Sequence, residues 1–229
     1  MSNRLKVSLV VILMVLSLST WSYAKADDNV QVPIKAELPV IFVSAWDGKG
    51  YGITEAICKL CMLPYDWSDK PTLDQLASGV GLPAYDPDNP GTRPIEIESR
   101  SEVEIGTPYK TIAFVMEDGP MSFDTYITTE MELKRVQDSI CWAKENGLNV
   151  IGIYVGGKYS RSIWKMYGEI IDLLISQCEL IIAIQPGDYS EDLINMGKES
   201  SVPVIVAEKV VSLIAAFQNL FGTGATLDN

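Results

Sequence analysis

Residues 150–155 read Val-Ile-Gly-Ile-Tyr-Val, and residues 180–184 read Leu-Ile-Ile-Ala-Ile. Neither run alternates apolar with polar residues, so a strand formed by either must be covered on both faces. The pattern recurs outward along the chain, at Val40-Ile41-Phe42-Val43, at Thr111-Ile112-Ala113-Phe114-Val115-Met116 and at Val204-Ile205-Val206. Pro64-Tyr65-Asp66-Trp67 reads as a brief further strand. Between these runs the apolar residues change to helical spacing. Ile53, Ala56, Ile57, Leu60 and Cys61 form one such stripe; Leu133, Val136, Ile140 and Ala143 form another. Thr129 and Glu132 have capping-box spacing at the start of the second stripe, and Asn146-Gly147 ends it. Ile163, Tyr167, Ile170, Ile171 and Leu174 predict the next helix, residues 190–199 a short one, and Val210, Leu213, Ile214, Phe217 and Leu220 the last. Strand and helix alternate, which predicts a three-layer α/β fold with a mostly parallel sheet, flavodoxin-like or Rossmann-like. Right-handed crossovers put every strand-to-helix loop on one edge of such a sheet. Ligands bind at that edge, where strand order reverses.

Ahead of this pattern stands an export signal. Arg4 and Lys6 open it, Val7 to Leu18 is apolar apart from Ser8 and Ser17, and Ser22-Tyr23-Ala24 or Ala24-Lys25-Ala26 offers the small residues a signal peptidase reads. The apolar run is shorter than the ~20 residues of a membrane span. The expected organisation is therefore a signal peptide over 1–26, a single α/β domain over 27–221 and a frayed tail over 222–229. Residues 68–108, rich in Pro, Gly and Asp, read as an irregular insertion or lid, with a short helix near Leu73 to Leu76 and a strand at Ile95-Glu96-Ile97. The protein is expected outside the cytoplasm, periplasmic or extracellular, with no span after the signal is cut. The formal charge of −12 becomes more negative by two when Arg4 and Lys6 leave. Such a surface repels phosphate backbones, so nucleic acid is not an expected partner. The sequence sets no oligomeric state.

The chain has no histidine. That excludes Ser-His-Asp and Cys-His catalysis, any zinc-histidine site and histidine-ligated haem, and it lowers the expectation of an enzyme. The turn Asp47-Gly48-Lys49-Gly50-Tyr51-Gly52 after the first strand resembles a dinucleotide fingerprint, with Asp66 in the place of the ribose acid. Its spacing is G-x-G-x-G, with Ile53 where the last glycine of that fingerprint belongs, so NAD is not expected and a tight turn or a smaller anion site fits better. Asp47, Glu117, Asp118, Asp188 and Glu208 can all fall at the same edge. Solvated loop acids are the ordinary explanation, and a divalent cation on Asp47, Glu117 and Asp118 is the functional one. Asp86-Pro87-Asp88-Asn89-Pro90-Gly91 begins like a calcium loop but has Pro90 at a ligand position. Lys158 and Arg161 follow the Gly156-Gly157 turn at a helix start, where anions rather than cations are favoured, which points to a bound anion. Cys58 and Cys61 form a C-x-x-C inside a helix and read as packed thiols, as do Cys141 and Cys178; export would permit disulfides, whose pairing the count does not give.

Several landmarks at strand ends resemble a family of exported bacterial α/β proteins described only as a domain of unknown function. They are Val43-Ser44-Ala45, Tyr154-Val155-Gly156-Gly157 with Arg161 beyond, Gly187-Asp188, and Val202-Pro203-Val204. The likeness runs over most of Pro39 to Phe221. The sequence departs from it at Glu117-Asp118-Gly119-Pro120-Met121, where a glycine-rich run is expected, and over 68–108. The resemblance implies the fold and the export, and no activity. The favoured reading is a non-catalytic domain holding a small ligand or anion near Ser44, Asp47, Gly48, Gly50, Glu117, Asp118, Gly156, Gly157, Lys158, Arg161 and Asp188. The rivals are an enzyme using carboxylates and a divalent cation, and an interaction module of the cell envelope.

Overall fold

The computed structural model describes residues 31–45, 51–81, 103–117, 128–155, 161–184, 190–207 and 209–223; for Tyr51, Glu117, residues 161–167, Ser190 and Val210 the backbone alone is described. In chain order the elements are β1 (Val40–Ser44), α1 (Tyr51–Leu60), β2 (Tyr65–Ser68), α2 (Leu73–Ser78), β3 (Thr111–Glu117) and α3 (Thr129–Glu145). β4 (Asn149–Val155), α4 (Arg161–Gln177), β5 (Leu180–Ile184), α5 (Ser190–Ser200), β6 (Val204–Ala207) and α6 (Val210–Phe221) complete them. The strands form one six-stranded sheet, β2-β1-β3-β4-β5-β6, in which every pairing is parallel.

Because side chains alternate across a strand, each strand feeds two cores. Phe42, Val115, Ile153 and Ile182 pack beneath α1 and α6, against Ile57, Cys58, Leu213 and Phe217. Ile41, Ile112, Phe114 and Ile181 pack on the other face, beneath Leu76 of α2, Val136 and Ile140 of α3, Ile170 and Leu174 of α4 and Leu193 of α5. This double burial is why β1 and β5 read as unbroken apolar runs.

Three local expectations are corrected. In α1 the buried meridian is Thr54, Ile57, Cys58 and Cys61, while Ile53, Ala56 and Leu60 are exposed. The spacing i, i+3, i+4, i+7 is kept but starts on a threonine, so an apolar count rotates the helix off its true face. In α3 the N-cap is Thr128, whose Oγ1 accepts from Met131 N at 3.2 Å, and Glu132 turns inward instead of closing a capping box. Cys141 is exposed, because the α3 stripe through Val136, Ile140 and Ala143 leaves it to one side. The helix expected near Leu73 forms, with Thr72 and Gln75 as a reciprocal capping box. The expected strand at 95–97 and the calcium-like stretch at 86–91 lie outside the described residues.

All four cysteines are free thiols, and Cys58, Cys61 and Cys178 are buried. Burial pushes all three upward, Cys61 to about 11. Iodoacetamide at neutral pH is therefore expected to label Cys141 in the native protein and the other three only after denaturation, as read by mass spectrometry. Rapid native labelling of Cys58 or Cys61 would contradict the packing of α1.

The segment leading from α2 turns at Gly79, whose φ is 78°. A Cβ there would lie 2.5 Å from Thr107 O and 2.8 Å from Gly106 O. Those neighbours are fixed by a two-bond bridge, Val80 N to Thr107 O at 2.9 Å and Gly106 N to Val80 O at 2.8 Å. Gly79→Ala is expected to cost about 2 kcal/mol or more, combining left-handed strain with a backbone clash. A urea midpoint equal to that of the parent protein would refute it.

Candidate functional site

β1 and β3 are neighbours in the sheet, with Ser44 in register with Val115. The helix after β1 packs on one face of the sheet and the helix after β3 on the other. Their connections therefore part at the C-terminal edge, which is the place where a doubly wound sheet opens a crevice.

One charged pair is built into this place. Glu132 and Arg135 are one helical turn apart near the start of α3. Arg135 Nε donates to Glu132 Oε2 at 2.9 Å, and Nη2 donates to Glu132 Oε1 at 2.6 Å. The same Nη2 donates to the carbonyl of Ser44 at 2.5 Å. The fork thus ties α3 to the last residue of β1. The Glu132 side chain is 2% exposed and that of Arg135 19%. The remaining nitrogen, Nη1, is buried and has no hydrogen-bond partner. A guanidinium cannot shed its charge, so this edge holds a cationic donor with unused N–H groups.

A second polar cluster lies on the adjoining strand. Asp66 and Ser68 of β2 are both buried. Asp66 Oδ2 accepts from Tyr109 OH at 2.5 Å and from Gly81 N at 2.8 Å. Burial, reinforced by this contact with Asp66, raises the Tyr109 phenol well above its usual range. Asp66 Oδ1 and Ser68 Oγ are buried without partners. Asp66 stands inside β2 rather than at its end, with one oxygen fastening both sides of the stretch between Gly81 and Tyr109. That is a structural post and differs from the ribose acid of a dinucleotide site.

Of the residues expected at the site, Ser44 lies at the edge, fully buried, offering its carbonyl to Arg135. Glu117 closes β3 in register with Val155, and Arg161 opens α4. Asp47, Gly48, Gly50, Asp118, Gly156, Gly157, Lys158 and Asp188 lie outside the described residues, as does Glu208. Among the described residues no group of three His, Cys, Asp or Glu side chains could hold a metal ion. Also among them, no helix is long and apolar enough to cross a membrane. Glu132 and Arg135 were not anticipated as site residues. The available signal was that Glu132 falls four residues before Val136, on the buried meridian of α3.

The sheet order, the parting of the connections and the charged pair beneath them define a doubly wound α/β protein with its open edge at the C-terminal ends of β1 and β3. The family model described as Domain of unknown function (DUF6305) matches residues 37–221, from just before β1 to the end of α6, and the chain belongs to that family. No curated protein and no solved structure matches the chain.

Proposed function

We propose that this is an exported protein that binds a small ligand at the C-terminal edge of its sheet and carries out no chemistry of its own. The observation that supports it is Arg135: a part-buried guanidinium at the point where strand order reverses, whose Nη1 is buried and lacks a partner. An unsatisfied buried charged donor is costly to keep, so such a group marks a place where a ligand oxygen or a water belongs. The lack of histidine, the glycine turns at Gly48 and Gly156 and the cations Lys158 and Arg161 are consistent with binding of an anionic group at the same edge. Export rests on the apolar segment from Val7 to Leu18 and the small residues at Ser22 and Ala24.

The test is thermal melting of the purified mature protein against metals, nucleotides, sugars, amino acids and organic acids. A ligand at one hundred times its dissociation constant should add about 2.7 kcal/mol of stability. Arg135→Gln should remove that shift. If no compound class raises the melting temperature, the reading fails. N-terminal sequencing of the secreted protein checks the cut near Ala24 or Ala26.

A further inference from the structure

Three orphaned polar atoms share one region of the sheet. Arg135 Nη1, Asp66 Oδ1 and Ser68 Oγ are each buried and each lack a partner. Arg135 is fastened to Ser44, the last residue of β1. Ser68 is the last residue of β2 and stands in register with Val43, one residue before Ser44. Neighbouring strands are about 4.8 Å apart, so the ends of β1 and β2 meet side by side. Asp66 and Ser68, two residues apart, point to the same face of the sheet. That face is the one bearing Tyr109, the partner of Asp66, and the α3 residues Val136 and Ile140. Ser68 and Arg135 therefore lie over the same corner, beneath α2 and α3, and Asp66, in register with Ile41, stands two residues further back along β2 on the same face.

Their chemistry is complementary and unlike that of a plain anion site. Nη1 offers N–H donors with positive charge. Asp66 Oδ1 only accepts, and carries formal negative charge; the Ser68 hydroxyl can do either. Glu132 already balances Arg135 through two hydrogen bonds. With Asp66 added, the formal charge of the corner is negative. A bare carboxylate or phosphate would meet Arg135 favourably but would also face Asp66 and Glu132. An amine alone would leave Nη1 unsatisfied. A ligand with a carboxylate and an ammonium on adjacent positions satisfies both ends and adds no net charge.

We propose that this corner is a subsite for a free α-amino acid, its carboxylate accepting from Arg135 Nη1 and its ammonium donating to Asp66 Oδ1 and Ser68 Oγ. The proposal rests on the reading of the C-terminal edge as a ligand site, and it names the class of ligand. The position explains why two fully buried side chains of β2, the outermost strand on this side of the sheet, are polar, when the strands on the opposite side of β1 carry apolar residues at the corresponding depth.

The experiment uses the purified mature chain, titrated with each of the twenty α-amino acids by calorimetry and thermal melting. Each amino acid that binds is compared with its counterpart lacking the amino group and its counterpart lacking the carboxylate: propionate and ethylamine, if alanine binds. At least one amino acid should bind, and both counterparts should bind at least about tenfold more weakly, the scale of losing one charged hydrogen bond. Ser68→Ala should weaken the amino acid several-fold. Asp66→Asn should abolish the preference over the deaminated acid. Should Asp66→Asn fail to fold, Ser68→Ala and Arg135→Lys carry the test, with circular dichroism confirming their folds. Equal binding of the deaminated acid, or unchanged affinity in Ser68→Ala and Arg135→Lys, overturns the proposal. If no amino acid binds while a metal, nucleotide, sugar or organic acid does, the zwitterion subsite is wrong and the ligand edge stands. If nothing in any class binds, both fall.

Discussion

Phe217→Ala is expected to remove about 4 kcal/mol of stability, enough to shift the urea midpoint by more than any other single truncation considered. Phe217 is fully buried in α6, its ring stacked on Phe42 of β1 at 6.4 Å and packed against Phe221 at 6.1 Å. Phe42 in turn meets Tyr65 of β2 edge-on at 6.0 Å. The ring therefore joins α6 to β1 and, through Phe42, to β2. Truncating a buried phenylalanine costs about 3–5 kcal/mol, and the upper part of that range applies where the surroundings cannot collapse. Among the described residues α1, α6 and the segment from Val32 to Leu38 cover this face, and β1, the strand beneath Phe217, is held by neighbours on both sides. Phe217→Leu keeps most of the volume and should cost well under half as much. A loss below about 1 kcal/mol for the alanine variant, by denaturant unfolding followed by circular dichroism, would mean that α6 does not dock as described.

Glu132→Ala is expected to cost about 3 kcal/mol. Breaking a buried ion pair by removing one partner leaves an uncompensated charge, with typical losses of about 3–5 kcal/mol. The lower end applies because the Arg135 side chain retains 19% exposure and can turn partly toward water. The sharper expectation concerns the double variant. Glu132→Leu with Arg135→Met removes both charges and should recover most of the loss, since apolar pairs of similar volume often match or exceed buried ion pairs. If the double variant is as unstable as Glu132→Ala, the pair contributes through something other than mutual charge compensation. If the double variant is stable but no longer shifts with ligand, stability and binding have been separated at one pair of residues.

The sheet was legible because its physics is repetitive. Ile151, Ile153 and Val155 face one core while Val150 and Tyr154 face the other, so a strand buried on both sides cannot hide polar residues without showing a gap. Ser44 and Thr111 make such gaps at the ends of β1 and β3, and Asp66 and Ser68 make two more in β2, where the buried polar corner lies. Helix faces were read less well. Thr54 belongs to the buried meridian of α1, but a threonine does not register in an apolar count. Glu132 belongs to that of α3, but its spacing from Thr129 also satisfies a capping rule, and sequence spacing alone does not distinguish an outward cap from an inward ion pair. Arg135 was missed for a related reason. Its role depends on the end of β1, ninety-one positions earlier in the chain, and no local pattern carries that separation. Most of the glycine and acid turns expected at the edge lie outside the described residues.

The hydrogen bonds that precede β1 have a geometric corollary. Ala36 N donates to Leu220 O at 3.0 Å, and Lys35 Nζ donates to the carbonyl of Asn219. The segment entering β1 and the outgoing helix are thus fastened together at the N-terminal edge of the sheet, opposite to Ser44 and Arg135. A tether or fusion attached ahead of residue 31 or after residue 223 would leave from the side of the domain opposite to Ser44 and Arg135. For the same reason a circular permutant that joins residues 223 and 31 through a short linker, with new ends opened between β4 and α4, should retain all six strands in their native order in space.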